Sequence, residues 1–245
     1  MTEKSFDEAA LAARFRDFDE NFKRVRQTAA EAAVAAGRRP EDVQILAATK
    51  TVPVELINYA AAHGLRLMGE NKVQELLEKY NDLAFDRDQI HFIGHLQTNK
   101  VRQIVGKVHM IQSVDSLKLA EEIDKRSAAA GCVTNVLVEV NAGGEESKSG
   151  VAPAATEELV CQVAQLPHLR IQGLMTIPPV TEKPEQARKF FSNIYQLSVD
   201  IRRKNIDNVS MDCLSMGMSA DYPFAILEGA TMVRIGSLLF GKRHY

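Results

Sequence analysis

From Val43 onward the sequence repeats one pattern eight times: a short apolar or β-branched run, a small-residue or proline break, then apolar residues at helical spacing. The runs lie at 43–49, 65–68, 90–93, 108–112, 135–140, 169–175, 209–214 and 232–235. Helical stretches follow at 53–63, beyond Gly69-Glu70-Asn71 as far as Tyr80, and at 98–105, 116–130, 153–165, 184–205 and 220–228, with a short helical tail after Gly236-Ser237. A strand that returns through a helix re-enters the sheet in the same direction, so strict alternation demands parallel strands. Eight such strands close on themselves, and the predicted fold is an α/β single (β/α)8 TIM barrel. An open doubly wound sheet would carry a GxGxxG turn after its first strand, and Lys50-Thr51-Val52-Pro53 is nothing like it.

A long N-terminal helix precedes the repeats, over Phe6 to Ala36. Leu11, Phe15, Phe18, Phe22 and Val25 form one apolar stripe on it, Gly37 ends it and Pro40 prevents its resumption. A stripe this short, with phenylalanines inside it, predicts docking on the barrel rather than a coiled coil. No linker or composition break divides the chain. The expectation is one domain over 1–245, with 1–40 as a helical extension.

Bulk chemistry removes several function classes. A formal net charge of −2 gives no global field toward nucleic acid or anionic membrane. The three cysteines, Cys132, Cys161 and Cys213, are widely spaced and lack CxxC pairing, which excludes a disulfide framework and a cysteine zinc site and fits a reducing compartment. No apolar run approaches the roughly 18 residues of a membrane span. Glu3, Asp7 and Glu8 argue against a transit peptide, so the expected location is cytoplasmic.

In such barrels chemistry lies at the carboxyl ends of the strands. Those positions here offer Lys50, Asn71, Gly94-His95, Ser113, Asn141, Met175-Thr176, Ser215 to Ser219 and Arg234 to Ser237. Clustered acids are lacking, with Glu70 the one carboxylate beside a strand end, so a metal-assisted barrel is not expected. Lys50 closes an apolar strand. Desolvation there would lower its pKa and make it a nucleophilic amine, although a strand-end lysine can also simply reach out to water. The loops after strands seven and eight, Met216-Gly217-Met218-Ser219-Ala220 and Gly236-Ser237-Leu238, combine glycines, hydroxyls and a helix start, the ingredients of a phosphate cradle. An amine opposite such a cradle points to pyridoxal 5′-phosphate. Arg234, two residues before Gly236 on its strand, can then reach the pyridine nitrogen; bracing the barrel interior is the alternative for it.

The sequence resembles the pyridoxal-phosphate homeostasis protein family, whose fold is that of the alanine racemase N-terminal barrel (fold type III). The matching stretches are Leu46-Ala47-Ala48-Thr49-Lys50-Thr51, Gly69-Glu70-Asn71 with Val73-Gln74-Glu75, His91 to Lys100, Ser147-Lys148-Ser149-Gly150, Gly173-Leu174-Met175, Leu214 to Ser219, and Met232 to Gly236. The resemblance implies that Lys50 carries the cofactor as a Schiff base, that Arg234 faces the pyridine nitrogen, and that Ser219, Gly236 and Ser237 hold the phosphate. It also carries Asn71, Met175 and Ser215 into the site. The implied function is a carrier and buffer of pyridoxal 5′-phosphate that helps maintain vitamin B6 and amino-acid balance, without turnover of its own.

Two features of the chain agree with binding over catalysis. Racemases of this fold set a second base on an additional domain, for which the sequence past strand eight has no room, and an arginine at the pyridine nitrogen weakens the ring as an electron sink. The competing readings are a small amino-acid racemase or related cofactor-dependent enzyme, and a phosphosugar-binding barrel with no cofactor. Lys148 is either a second amine for the cofactor or a solvated loop lysine. The expected partners are the cofactor and transient apoenzyme acceptors, with the chain a monomer.

Overall fold

The computed structural model describes residues 8–145 and 148–241. Its strands are β1 (Gln44–Ala48), β2 (Leu67–Glu70), β3 (Ile90–Phe92), β4 (Met110–Val114), β5 (Thr134–Val140), β6 (Leu169–Thr176), β7 (Val209–Met218) and β8 (Met232–Ile235). They pair in sequence order and in parallel, and β8 closes onto β1 with Arg234 opposite Leu46. The helices are α1 (Glu8–Ala35), α2 (Val54–Ala62), α3 (Val73–Lys79), α4 (Val101–Ile104), α5 (Leu117–Ala129), α6 (Pro153–Val163), α7 (Arg188–Arg203), α8 (Tyr222–Leu227) and α9 (Ser237–Phe240). The eightfold alternation has therefore folded as the expected (β/α)8 barrel behind a long N-terminal helix.

Both faces of each strand are enclosed, and the two faces differ. Outward rows such as Val136, Val138 and Val140 pack beneath the helices in one large apolar cluster. Inward rows mix apolar and polar residues. Leu46, Ile93 and Met232 form one interior group and Met110, Leu137 and Met175 another. Gln112, Glu139, Ser215 and Arg234, all buried, lie on β4, β5, β7 and β8. The apolar face of α1 buries Phe18, Phe22, Val25, Ala29 and Ala33, each large side chain contributing about 1.5–3 kcal/mol. Phe18 stacks on Phe240 at 5.8 Å and the Asn21 amide donates to Leu239 O at 3.4 Å, so the helix docks on the barrel itself.

Several boundaries differ from those expected. Leu65 N–H closes onto Ala60 O and completes the exit from α2, so β2 starts only at Leu67. β4 runs on to Val114, which puts Ser113 inside the strand instead of on the rim, fully buried, its hydroxyl without a hydrogen-bond partner among the described residues. β7 continues through Met216 and Gly217 to Met218, so most of the supposed phosphate loop is strand. Gly217 has φ 92, and a Cβ there would meet Ala225 Cβ at 2.5 Å. α8 begins at Tyr222 and not Ala220, because the Asp221 carboxylate accepts from Met218 N–H at 2.6 Å and sets the turn first. Phe6, Ser147 and the Lys242-Arg243-His244 cluster lie outside the described residues. Among the described residues no helix is long and apolar enough to cross a membrane.

Candidate functional site

β1 delivers Lys50 to the barrel mouth, half-buried, and fixes the backbone on both sides of it. The Thr49 hydroxyl donates to Glu70 Oε1 at 2.9 Å, and Lys79 Nζ donates to the same carboxylate at 2.8 Å and to Thr49 O at 3.1 Å. Glu70 is fully buried in that ion pair. Thr51 N–H donates to Glu75 Oε2 at 2.9 Å and its hydroxyl to Lys50 O at 2.6 Å. Thr51 has φ 62, a conformation that a β-branched residue adopts only when its surroundings hold it there. Lys50 itself makes no ion pair among the described residues, so its scaffold is fixed while its ammonium stays available.

Across the β8–β1 seam, Arg234 is buried and held by three hydrogen bonds. Its Nη1 donates to Ser215 O and to Ser215 Oγ, both at 2.7 Å, and Nη2 donates to Thr176 O at 2.9 Å. Burial lowers its pKa to about 10, opposed by the charges of Glu139 and Asp221, so it is cationic at neutral pH. Ser215 lies beneath the arginine: its oxygen serves Arg234 and its proton goes to Gln112 Oε1 at 2.6 Å.

The loops leaving β7 and β8 meet as expected. Ser219 Oγ accepts from Gly236 N–H and Leu238 N–H, each at 3.4 Å, which gathers one hydroxyl and two main-chain donors with Ser237 exposed beside them. A Cβ on Gly236 would stand 3.3 Å from Ala48 O, so this loop presses against the end of β1 just before Lys50. Asn71 is half-buried past the end of β2, with its carbonyl so close to Gly94 that a Cβ there would approach it to 2.0 Å. Met175 is buried, opposite Ser215 and Glu139 in the β6 register. Lys50, Ser219, Gly236, Ser237 and Arg234 thus share one side of the mouth. Lys148 stands apart on the loop after β5, paired with Glu145 at 2.6 Å.

Three polar residues escaped the sequence reading. Gln112 is fully buried inside the barrel between Ser215 and His91. Asp221, largely buried, has its pKa raised by that burial against the pull of Met218 N–H and Arg234. Glu139 follows Leu137 on the inward row of β5, 6% exposed, and its carboxylate accepts no hydrogen bond among the described residues. Burial first, and then the Asp115 charge, push its pKa up to about 7, with Arg234 pulling the other way.

This mouth, with a strand-end amine, a clamped arginine and a loop of main-chain donors, is carried by a barrel of the alanine racemase N-terminal class: residues 16–244 match that domain's family model. A pyridoxal phosphate homeostasis protein of Aquifex aeolicus is 47% identical over 226 residues, covering 92% of this chain and 98% of that protein. The protein of the same name in Escherichia coli K12 is 38% identical over 233 residues, covering 94% and 98%. Among solved structures, PipY of Synechococcus elongatus with PLP bound superimposes with a TM-score of 0.74 at 32% identity, over 87% of this chain and all of that one. The chain belongs to the pyridoxal phosphate homeostasis protein family. Alanine racemase of Clostridium difficile, 17% identical with a TM-score of 0.74 over 58% of its length, shares the barrel.

Proposed function

We propose that this chain holds pyridoxal 5′-phosphate at the barrel mouth and acts as its carrier and buffer, helping to maintain intracellular vitamin B6 and amino-acid balance. The observation that carries this reading is the pairing of an available amine on a fixed backbone, Lys50, with an immobilised guanidinium, Arg234, across one strand seam. The donor set fits the cofactor group by group. Lys50 is the amine for its aldehyde, Arg234 the donor for its ring nitrogen, and Ser219, Ser237 and the Gly236 and Leu238 N–H groups the donors for its phosphate. Met175 and Asn71 flank the ring, and Ser215 acts through Arg234. The names and bound ligand of the relatives described above support the same assignment.

When bound, the cofactor supplies an electrophilic aldehyde and an electron-withdrawing ring. The chain's own residues bind and orient it. A guanidinium fixed at the ring nitrogen disfavours protonation there, because a second positive charge in a buried site is costly. That leaves the ring a poor electron sink, which supports a carrier over a catalyst. Cytoplasmic location, a monomeric state and apoenzymes as transient acceptors complete the proposal.

One observation favours a second reading, a small cofactor-dependent amino-acid enzyme: Glu139 is a carboxyl in the mouth with a pKa of about 7, suited to moving a proton at neutral pH. Incubating the cofactor-loaded protein with amino acids in D2O separates the two. A carrier leaves the α-hydrogen unexchanged. Exchange in the parent that disappears in Glu139→Gln would establish the enzyme instead, and a protein that takes up no cofactor at all would overturn both.

A further inference from the structure

One hydrogen-bond chain descends the inside of the barrel from the mouth toward its floor. Arg234 Nη1 donates to Ser215 Oγ at 2.7 Å, the Ser215 hydroxyl donates to Gln112 Oε1 at 2.6 Å, and Gln112 Nε2 donates to His91 Nδ1 at 2.8 Å. None of the four residues is more than 4% exposed. His91 lines a floor cavity of about 460 Å³ together with His109, on which its ring stacks at 5.6 Å.

The direction of the chain is forced. A guanidinium can only donate, so Ser215 Oγ accepts from it, and the serine proton bonds Gln112 Oε1. Gln112 must then turn its oxygen toward the mouth and its amide N–H toward the floor, where His91 has to be neutral with Nδ1 bare. Burial, and secondarily the charge of His109, lower the His91 pKa to about 3, so its ring is uncharged throughout the neutral range. A flipped amide would leave the serine proton without its acceptor. The other contact of Gln112 Nε2, Met232 Sδ at 3.2 Å, holds the same face of the amide.

The geometry points to Gln112 as a positioning residue for Arg234: by taking the Ser215 proton it turns the serine lone pair to Nη1 and fixes which guanidinium N–H groups face the mouth. Three of the five guanidinium N–H groups are committed to Ser215 O, Ser215 Oγ and Thr176 O. The other two are those left for a ring-nitrogen acceptor. Loss of the Gln112 oxygen frees the serine hydroxyl to rotate and the guanidinium plane with it. This inference rests on the assignment of Arg234 to the cofactor's ring nitrogen.

The test compares the affinity of pyridoxal 5′-phosphate with that of its deaza analogue, in which C–H replaces the ring nitrogen. Both ligands carry the same aldehyde and phosphate, so changes at Lys50 or the phosphate loop cancel. The parent should prefer the natural ring by about tenfold or more, the value of a hydrogen bond from a charged donor. Arg234→Met should abolish the preference. Gln112→Met and Ser215→Ala should each lower it several-fold, and the double variant should do no worse than the stronger single, because both cut one chain. Gln112→Asn, too short to reach Ser215 and still polar, carries the test if the methionine variant does not fold. A preference lost in Arg234→Met and intact in the Gln112 variants overturns the positioning role and leaves Arg234 at the ring. No preference in the parent, or one that survives Arg234→Met, overturns the Arg234 assignment and the inference with it.

Discussion

Lys50 and Lys148 both stand at the carboxyl end of the barrel, one after β1 and the other after β5, in opposite surroundings. Around Lys50 the mouth is rich in donors: Arg234, Ser219 and the N–H groups of Gly236 and Leu238. On the β4–β5 side it is acidic: Glu145 is bound to the Lys148 ammonium at 2.6 Å, and the charges of Glu139 and Asp115 act on one another. The backbone of Lys50 is tied outward through Glu70, Glu75 and Lys79, whereas Lys148 rides on a glycine-rich loop. Two chemically identical amines therefore differ in what they can do. Among the described residues one forms no ion pair and stands on a fixed frame, and the other is already paired with a neighbouring carboxylate.

The largest expected effect tests that difference directly. Lys50→Ala should abolish the Schiff-base absorbance of the cofactor-loaded protein, and in the parent borohydride should fix the cofactor to the peptide that contains Lys50. Label found mainly at Lys148 would invert the comparison.

The acidic side predicts a pH effect. The folded-state pKa of Glu139 is raised from the ordinary 4.5 to about 7, so the folded chain keeps a proton that the unfolded chain releases. Its favourable contribution is complete below the unfolded value and is lost as pH rises through about 7, a difference on the order of 3 kcal/mol. Glu139→Gln should flatten the fall in stability between pH 5 and 8, followed as the urea midpoint across that range. Parallel curves for parent and variant would show that Glu139 is not strained by ionisation.

On the donor side, Ser219→Ala should remove a charge-assisted hydrogen bond worth about 1.5–3 kcal/mol, so affinity for pyridoxal 5′-phosphate should drop roughly 10- to 150-fold. Affinity for pyridoxal, which lacks the phosphate, should stay nearly constant, and equal losses for both would mean that the serine acts through folding. The smallest effect belongs to Lys148→Ala. A partly exposed ion pair is worth about 1 kcal/mol or less, so cofactor affinity should change by no more than about fivefold. A much larger loss in a binding titration would bring the β5 side into the cofactor's hold.

The barrel and its donor side were legible in the sequence because both are written locally. Alternation gives parallel strands, and Lys50, Ser219 and Gly236 each sit where a strand ends. The acidic side was not legible. In Val136-Leu137-Val138-Glu139-Val140 the lone acid reads as the solvent face of an alternating strand, yet in a closed barrel covered by helices the outward row is the apolar one. The inward row is where Glu139 and Gln112 find themselves, and a single polar residue within such a run is the signal that marks it. The left-handed Thr51 had no sequence signature, since the bond from Glu75 that holds it spans from α3. Strand ends drifted where neighbouring structure took residues over, as when α2 claimed Leu65 and the β7 irregularity carried the strand to Met218.

Because β8 pairs with β1, no strand of this sheet is left with open N–H and C=O groups along its flank. An acceptor protein of the kind proposed above would find no edge on which to lay a strand of its own. Under the proposed carrier function, hand-over would be end-on, across the loops that follow the strands, where Val180 projects 96% exposed. Recipients would then be served singly and in turn, and the traffic through such a carrier would be set by how long each one occupies the doorway.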